Sequence, residues 1–500
     1  MNAPYTVVRE SDSYDRFFWL YYRLGIQSSI TVGATYTSSA RGALAKTAVV
    51  AAVRAVVEAQ PRLRYVCIPQ RQGEVTKLQI AVLNEINVED CIVFVDDDDG
   101  AGMDEKLLER LHNTWFDEWR ADEPTAPQWK VFVKGGVHVL FACTHAVADG
   151  ISGYVFHREF LTALNDLPPS MIEQPVPPTI ARSNGQVAEA GAVKLSPTNV
   201  LPKPELLAIL WHTFVSWILR VVYSKSRLNN DFPPSKPYFK DISKIPAAED
   251  CTQSGVTVRR IPAADLAKIL AACRENGAQL TPLLLILFIA TLALDHEPDA
   301  SMTTACLPYN MRPFLPMDQF EKGSSPSGAG VMMNAAGGAQ RPLFLAPIRK
   351  LFPDGKVDGT ALWKYVRDFK ADLAQRGIKQ AQKVYVAPKL FDDSLETVVK
   401  KALPSVNMAH TILVSNLGVF KPVQEGGEWS VTDVVFSASA ANGGIGCHGI
   451  VLNVATVAGG DLVMTGAYER DVVSKDVAEK VLDGLVGRLE DVCSESRTVG

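Results

Sequence analysis

Between Asn165 and Pro204 the chain carries eight prolines (Pro168, Pro169, Pro175, Pro177, Pro178, Pro197, Pro202 and Pro204) among Ser, Asn and Gly. Proline fixes φ and removes a backbone donor, so this run neither joins a sheet nor continues a helix. On both sides of it, strand-like and helix-like patterns alternate. A chain of 500 residues also exceeds what one hydrophobic core ordinarily organises. The reading is two α/β halves, residues 1–195 and 231–500, joined by a crossover linker and helix over 196–230.

In the first half, Ile30, Val32, Ala34 and Tyr36 alternate with small or polar residues, which predicts a half-buried strand. Ala43 to Ala59 lacks Gly and Pro and is followed by Pro61, which predicts a helix with a stop signal. Lys130–Lys134 and Val137–Cys143 flank Gly135-Gly136 and read as a hairpin with a two-residue turn. A helix is expected from about Ile151. In the second half, Gly255–Ile261, Thr303–Leu307, Val434–Ser439, Ile450–Ala455 and Asp461–Tyr468 read as strands. Ala263–Asn276 and Ser474–Cys493 read as amphipathic helices. Thr281–Asp295 reads as a buried helix with Thr281 as N-cap and Pro282 at its first position. The apolar stretch Leu206–Tyr223 is interrupted by His212, Thr213, Ser216 and Arg220, so it falls short of a membrane span. It reads as a buried crossover helix, with membrane-surface association as the lesser reading.

The net charge of -5 and the absence of a basic stripe exclude a nucleic-acid footprint. Eight cysteines show no C-x-x-C pattern, which reads as reduced, buried thiols rather than a zinc site or a disulfide scaffold. The acidic run Asp96–Asp99 lacks calcium-loop spacing and reads as a solvated loop. No metal site is expected. No secretory signal is visible after Met1, so a cytoplasmic location is the expectation.

The chemical signal is His145-Ala146-Val147-Ala148-Asp149-Gly150, between a hydrophobic strand and a helix. A histidine at the end of a buried strand is rigidly held yet reaches a cleft, and neutral imidazole can take a hydroxyl proton. Asp149, close by in a tight turn, is expected to face inward and pair with an arginine. Gly150 is expected to leave room beside the imidazole. A polar residue merely closing a strand is the bland alternative for His145.

His-x-x-x-Asp-Gly after a strand resembles the signature of the chloramphenicol-acetyltransferase-like superfamily. That group includes fungal alcohol acetyltransferases, plant BAHD acyltransferases and peptide-synthetase condensation domains. Tyr14–Thr37 is similar to the opening of the fungal alcohol acetyltransferases. Gln60-Pro61-Arg62-Leu63 resembles the family's H-P-x-L turn, Leu307–Pro316 its N-x-R-x-x-L-P segment, and Val414–Val419 its S-N-x-G strand. Thr144 precedes the histidine in place of a second His, and the plant D-F-G-W-G motif is absent, so the fungal enzymes fit best.

The resemblance implies two chloramphenicol-acetyltransferase-like domains, each a mixed sheet flanked by helices, with a tunnel between them. It implies Arg312 as the partner of Asp149, and Ser415 and Asn416 near the tunnel as oxyanion donors. It implies a monomer that binds no permanent cofactor. Its activity would be transfer of an acetyl or other acyl group from acyl-CoA to a small hydrophobic alcohol, with His145 as general base. Two alternatives stay open. The same fold could use a carrier-protein thioester or catalyse a cyclisation or isomerisation of a natural product, or it could be a non-catalytic binding module.

Overall fold

The computed structural model describes residues 3–95, 102–168, 176–181, parts of 211–233, 235–315, 330–381, 394–403, 411–422, 426–442 and 448–495. Most of the proline-rich stretch, the run Asp96–Asp99 and Cys447 lie outside these residues.

Two mixed sheets organise the molecule. The first has five strands in the order Trp429–Ala438, Ile30–Ser38, His138–Cys143, Trp129–Lys134 and Ile92–Val95. All neighbours in it are antiparallel except the last pair. Ile30–Ser38 is not half-buried as its alternation suggests, because Thr31 is as enclosed as Val32. Helix α1 (Ser13–Arg23), α2 (Lys46–Ala59), α3 (Glu105–Asn113) and α4 (Gly150–Asp166) belong to this half. Gly153 of α4 lies against Val32, while Met103, just before α3, lies against Gly33 on the other face. The strand is therefore covered from both sides, and its polar-looking positions are small residues within a core.

The hairpin pairs Lys134 with His138, which leaves a three-residue loop rather than two. Gly135 and Gly136 have φ of 58° and 66°, the left-handed region that glycine enters without strain. Val137 is drawn out of the ladder because its carbonyl accepts from Tyr36 N at 2.8 Å.

The second sheet has six strands in the order Ser254–Ile261, Leu462–Glu469, His448–Val457, Thr411–Phe420, Met302–Asn310 and Ala336–Phe344. Its two central pairings, on either side of Thr411–Phe420, are parallel. Helices α5 (Ala263–Glu275), α6 (Leu280–Thr291) and α7 (Lys475–Glu495) belong to this half. Helix α6 starts at Leu280 with Gln279 as its N-cap, two residues ahead of the predicted cap at Thr281. Pro282 thus falls in the first turn, where a missing N–H costs no intrahelical bond. Every residue from Pro282 to Thr291 is buried. The hydrophobic effect, at about 25 cal/mol per Å² of apolar surface, fixes this helix without any amphipathic face.

One strand breaks the order of the chain. Trp429–Ala438 comes late in the sequence but pairs along its length with Ile30–Ser38, from Trp429↔Ser38 to Ala438↔Ile30. It completes the first sheet and carries Val435 into a cluster with Val256 and Val463 of the second.

The described cysteines are all free, and all are buried except the half-buried Cys493. The expectation of a buried crossover helix is corrected in the parts that are described. Trp211, Phe214, Ile218, Val221 and Val222 all face outward, with Trp211 67% exposed. Their spacing puts them on one helical face, so the apolar residues here serve the surface rather than a core. Among the described residues no single helix is long and apolar enough to cross a membrane, and no group of three metal-ligating side chains converges.

Candidate active site

Strand His138–Cys143 ends in the core, and the loop Thr144–Ala148 carries the chain from it into α4. Asp149 is the N-cap of that helix. Its carboxylate accepts from Ser152 N at 2.9 Å, and the Ser152 hydroxyl answers the Asp149 backbone in a capping box. The helix therefore starts where it does because of the same aspartate that the motif contains.

The structure brings Asp149 and Arg312 together. Arg312 Nη1 donates to Oδ2 at 2.8 Å and Nη2 to Oδ1 at 3.0 Å, a bidentate pair with the arginine fully buried. Burial alone would raise the Asp149 pKa. The Arg312 charge, with hydrogen bonds from Arg312, Ala335 and Ser152, outweighs it and holds the carboxyl below its usual range. Among the described residues no hydrogen bond joins Asp149 to the imidazole, so the two do not form a triad.

Arg312 also fastens a strap of the second half across the motif. It donates to the carbonyls of Val331 (3.1 Å) and Met333 (2.6 Å). Ser152 Oγ accepts from Met333 N, Asp149 accepts from Ala335 N, and Gln60 holds both Gly330 O and Met332 N. The Gln60 amide is thus a clamp on the strap.

Gly150 has a different role from the one its place beside the imidazole suggests. A Cβ there would meet Leu417 Cδ2 at 2.6 Å and Phe436 Cε2 at 3.1 Å. The vacant volume is filled by the second half of the chain, so Gly150 is a contact point between the halves. Gly150→Ala should cost about 1–3 kcal/mol through overpacking, read as a lower denaturation midpoint with an unchanged m-value.

Ser415 and Asn416 are separated by the pleat. Asn416 Nδ2 donates to Thr281 Oγ1 at 3.0 Å and its Oδ1 accepts from Gly418 N at 2.8 Å. This side chain points to the start of α6 and braces a bulge in which Gly418 has φ of 75°. Asn416 is withdrawn as an oxyanion donor for that reason. Ser415 shares its face with Leu417, the residue that touches Gly150.

His145 is half-buried. The Phe18 ring lies over its imidazole, with centroids 4.1 Å apart and planes inclined by 33°. Two fully buried histidines have both ring nitrogens engaged: His112 with Ser29 and Ser437, His157 with Tyr36 and the Val32 carbonyl. In His145, Nδ1 is enclosed without a hydrogen-bond partner, and no described protein group bonds Nε2. Burial pushes its pKa down to about 4. The Asp149 charge and the nearby backbone of His145 and Ala148 offset this only in part.

Three further residues gather around this loop that sequence reasoning did not single out. Asn334 Nδ2 donates to the His145 carbonyl, the Tyr14 hydroxyl lies between Asn334 Oδ1 (2.8 Å) and the Ala336 carbonyl (2.5 Å), and Phe18 covers the ring. Tyr14 and Phe18 sit four apart on α1, a spacing visible in the sequence, whereas nothing local marks Asn334. Tyr14, Arg62, Tyr65, Ala146, Val147 and Asn334 line a cavity beside the loop.

The profile of the alcohol acetyltransferase family matches residues 15–334, a segment that contains most of α1, the His145 motif, Arg312 and the strap as far as Asn334. The chain belongs to this family. It is an acyltransferase. Among solved structures, the trichothecene 15-O-acetyltransferase TRI3 of Fusarium sporotrichioides is similar over 97% of this chain and 95% of that one. The TM-score is 0.66 at 12% identity. The epimerization domain of the third module of tyrocidine synthetase B covers 99% and 97% with a TM-score of 0.58 at 13% identity. The condensation domain of the Monacolin K polyketide synthase MokA covers 99% and 98% with a TM-score of 0.56 at 14% identity. At these identities the likeness speaks for the fold, which this alcohol acetyltransferase family member shares with condensation and epimerization domains. No curated protein matches it by sequence.

Proposed function

We propose that this protein transfers an acyl group, acetyl in the simplest case, from acyl-CoA to the hydroxyl of a small hydrophobic alcohol, with His145 as general base. The observation that carries this reading is the state of His145. It is a neutral imidazole at the seam of the two halves, with Nδ1 enclosed and Nε2 bonded to no described protein group.

In this reaction Nε2 takes the hydroxyl proton as the alcohol oxygen attacks the thioester carbonyl. The oxyanion collapses, the C–S bond breaks, and the imidazolium returns the proton to the leaving thiolate. No acyl-enzyme forms, and the described cysteines support this, since all but Cys493 are buried and none is in the motif. Donor and acceptor meet in a ternary complex within a passage between the halves. Ser415 is the side chain on the strand facing Gly150 that could donate to the oxyanion.

Incubation with acetyl-CoA and a panel of alcohols, with free thiol measured, tests this reading. Alcohol-dependent thiol release supports it. Release only from a carrier-protein thioester, or no release with any alcohol, overturns it. The low pKa of His145 adds a second expectation. The base is neutral above about pH 4, so kcat/KM should hold through pH 6 and fall only as the pH drops through about 4. An acid limb near 6.5 in the free enzyme would contradict the enclosed setting of the ring.

A further inference from the structure

We propose that Asn334, set in place by Tyr14, is a positioning residue that fixes the backbone of His145 so that Nε2, not Nδ1, faces the acceptor. This rests on the reading of His145 as the base and names what holds it to that task.

The loop Thr144–Ala148 belongs to no sheet or helix. Its internal bonds run to Thr144, whose carbonyl accepts from Val147 N at 3.1 Å. The His145 carbonyl is left to Asn334, which reaches it from the strap of the second half. The amide is not free to turn. Its Oδ1 accepts from Ala336 N at 3.3 Å and lies 2.8 Å from the Tyr14 hydroxyl, which also reaches the Ala336 carbonyl at 2.5 Å, so Nδ2 is the end that meets His145. Asn334 is itself carried by a strap whose neighbours on either side, Met333 and Ala335, bond Arg312, Ser152 and Asp149. The motif's aspartate therefore acts on its histidine by a route through the other half of the protein.

Helix α1 closes the arrangement. Tyr14 and Phe18 pack edge-on with centroids 4.7 Å apart, and Phe18 covers the imidazole. Tyr14 orients the amide that holds the backbone, while Phe18 blocks rotation of the ring. A base displaced by about 1 Å can lose on the order of 10² in rate, so a tether of this kind is worth more to turnover than to folding.

The test uses Asn334→Leu, which keeps the bulk and removes the donor, and Tyr14→Phe, which removes only the hydroxyl. Expected are a fall in kcat of about 10²-fold for the first and about tenfold for the second, with KM for acetyl-CoA within about twofold. The double variant should be no worse than Asn334→Leu, because both act on one tether. Nitrogen NMR of 15N-histidine-labelled protein supplies a readout apart from turnover. In the wild type the proton should sit on Nδ1 of His145; in both variants the two nitrogens should average. Wild-type kcat together with an unchanged Nδ1–H tautomer in Tyr14→Phe overturns the inference even if Asn334→Leu does not fold. Full turnover by His145→Ala overturns the base reading instead, and the tautomer measurement still judges the tether.

Discussion

Replacing His145 by alanine should lower kcat by about 10²–10⁴-fold, the range that a positioned proton acceptor supplies. The fold should hardly register the change. Nδ1 has no hydrogen bond to lose, and the Asn334 bond is made to the backbone carbonyl, which alanine keeps. Thermal unfolding and steady-state kinetics on the same preparation separate the two effects. Turnover within tenfold of wild type would remove His145 from the chemistry, and a collapse of stability would show that the ring is mainly packing. The loss should fall on kcat with acetyl-CoA binding preserved, because the imidazole acts in the transition state rather than in recognition.

Arg312→Ala should be the most destabilising single change at the site, by about 3–5 kcal/mol. It leaves the Asp149 carboxylate charged and buried, and it removes the arginine's hydrogen bonds to the Val331 and Met333 carbonyls at once. Arg312→Lys should recover little, because a point charge cannot make the bidentate pair and reach two carbonyls as well. Asp149→Ala should be costly for the mirrored reason and should also remove the cap of α4. If the cost is that of a stranded charge, the double variant Asp149→Ala/Arg312→Ala should lose clearly less than the sum of the two single changes. Urea denaturation of the four proteins decides this. An Arg312→Ala loss under about 1 kcal/mol, or strict additivity, would show that the pair is not the clasp described here.

The elements of the core were legible in the sequence wherever burial imposed a pattern. Thr281–Asp295 announced a buried helix by lacking any polar face, and it is one, with its cap two residues earlier than read. Family membership was legible from short motifs that do not depend on tertiary context. What the sequence could not show are roles created by distant contacts. Gly150 reads locally as room for the ring, yet the atoms that need the room are Leu417 and Phe436, more than 260 positions away. Ser415 and Asn416 are adjacent and looked equivalent, but the pleat sends them to opposite faces and Thr281 captures the second. Asn334 carried no local signal because its importance lies in the two partners it joins, Tyr14 and His145. Trp211, Phe214 and Val222 misled in the other direction, since apolar composition predicts burial and their side chains face outward.

The late strand Trp429–Ala438 has a practical consequence for anyone who would take this enzyme apart. A fragment ending after α4 would keep His145 and its motif but leave Ile30–Ser38 as a bare edge, with Ile30, Val32, Ala34 and Tyr36 beside a row of unsatisfied amides. Such a piece is a template for stacking on copies of itself. The complementary piece would carry a lone strand with no ladder to join. Nicking the chain between the halves, with both parts kept in the same solution, is the dissection that this topology tolerates, because each part then supplies the edge that the other lacks.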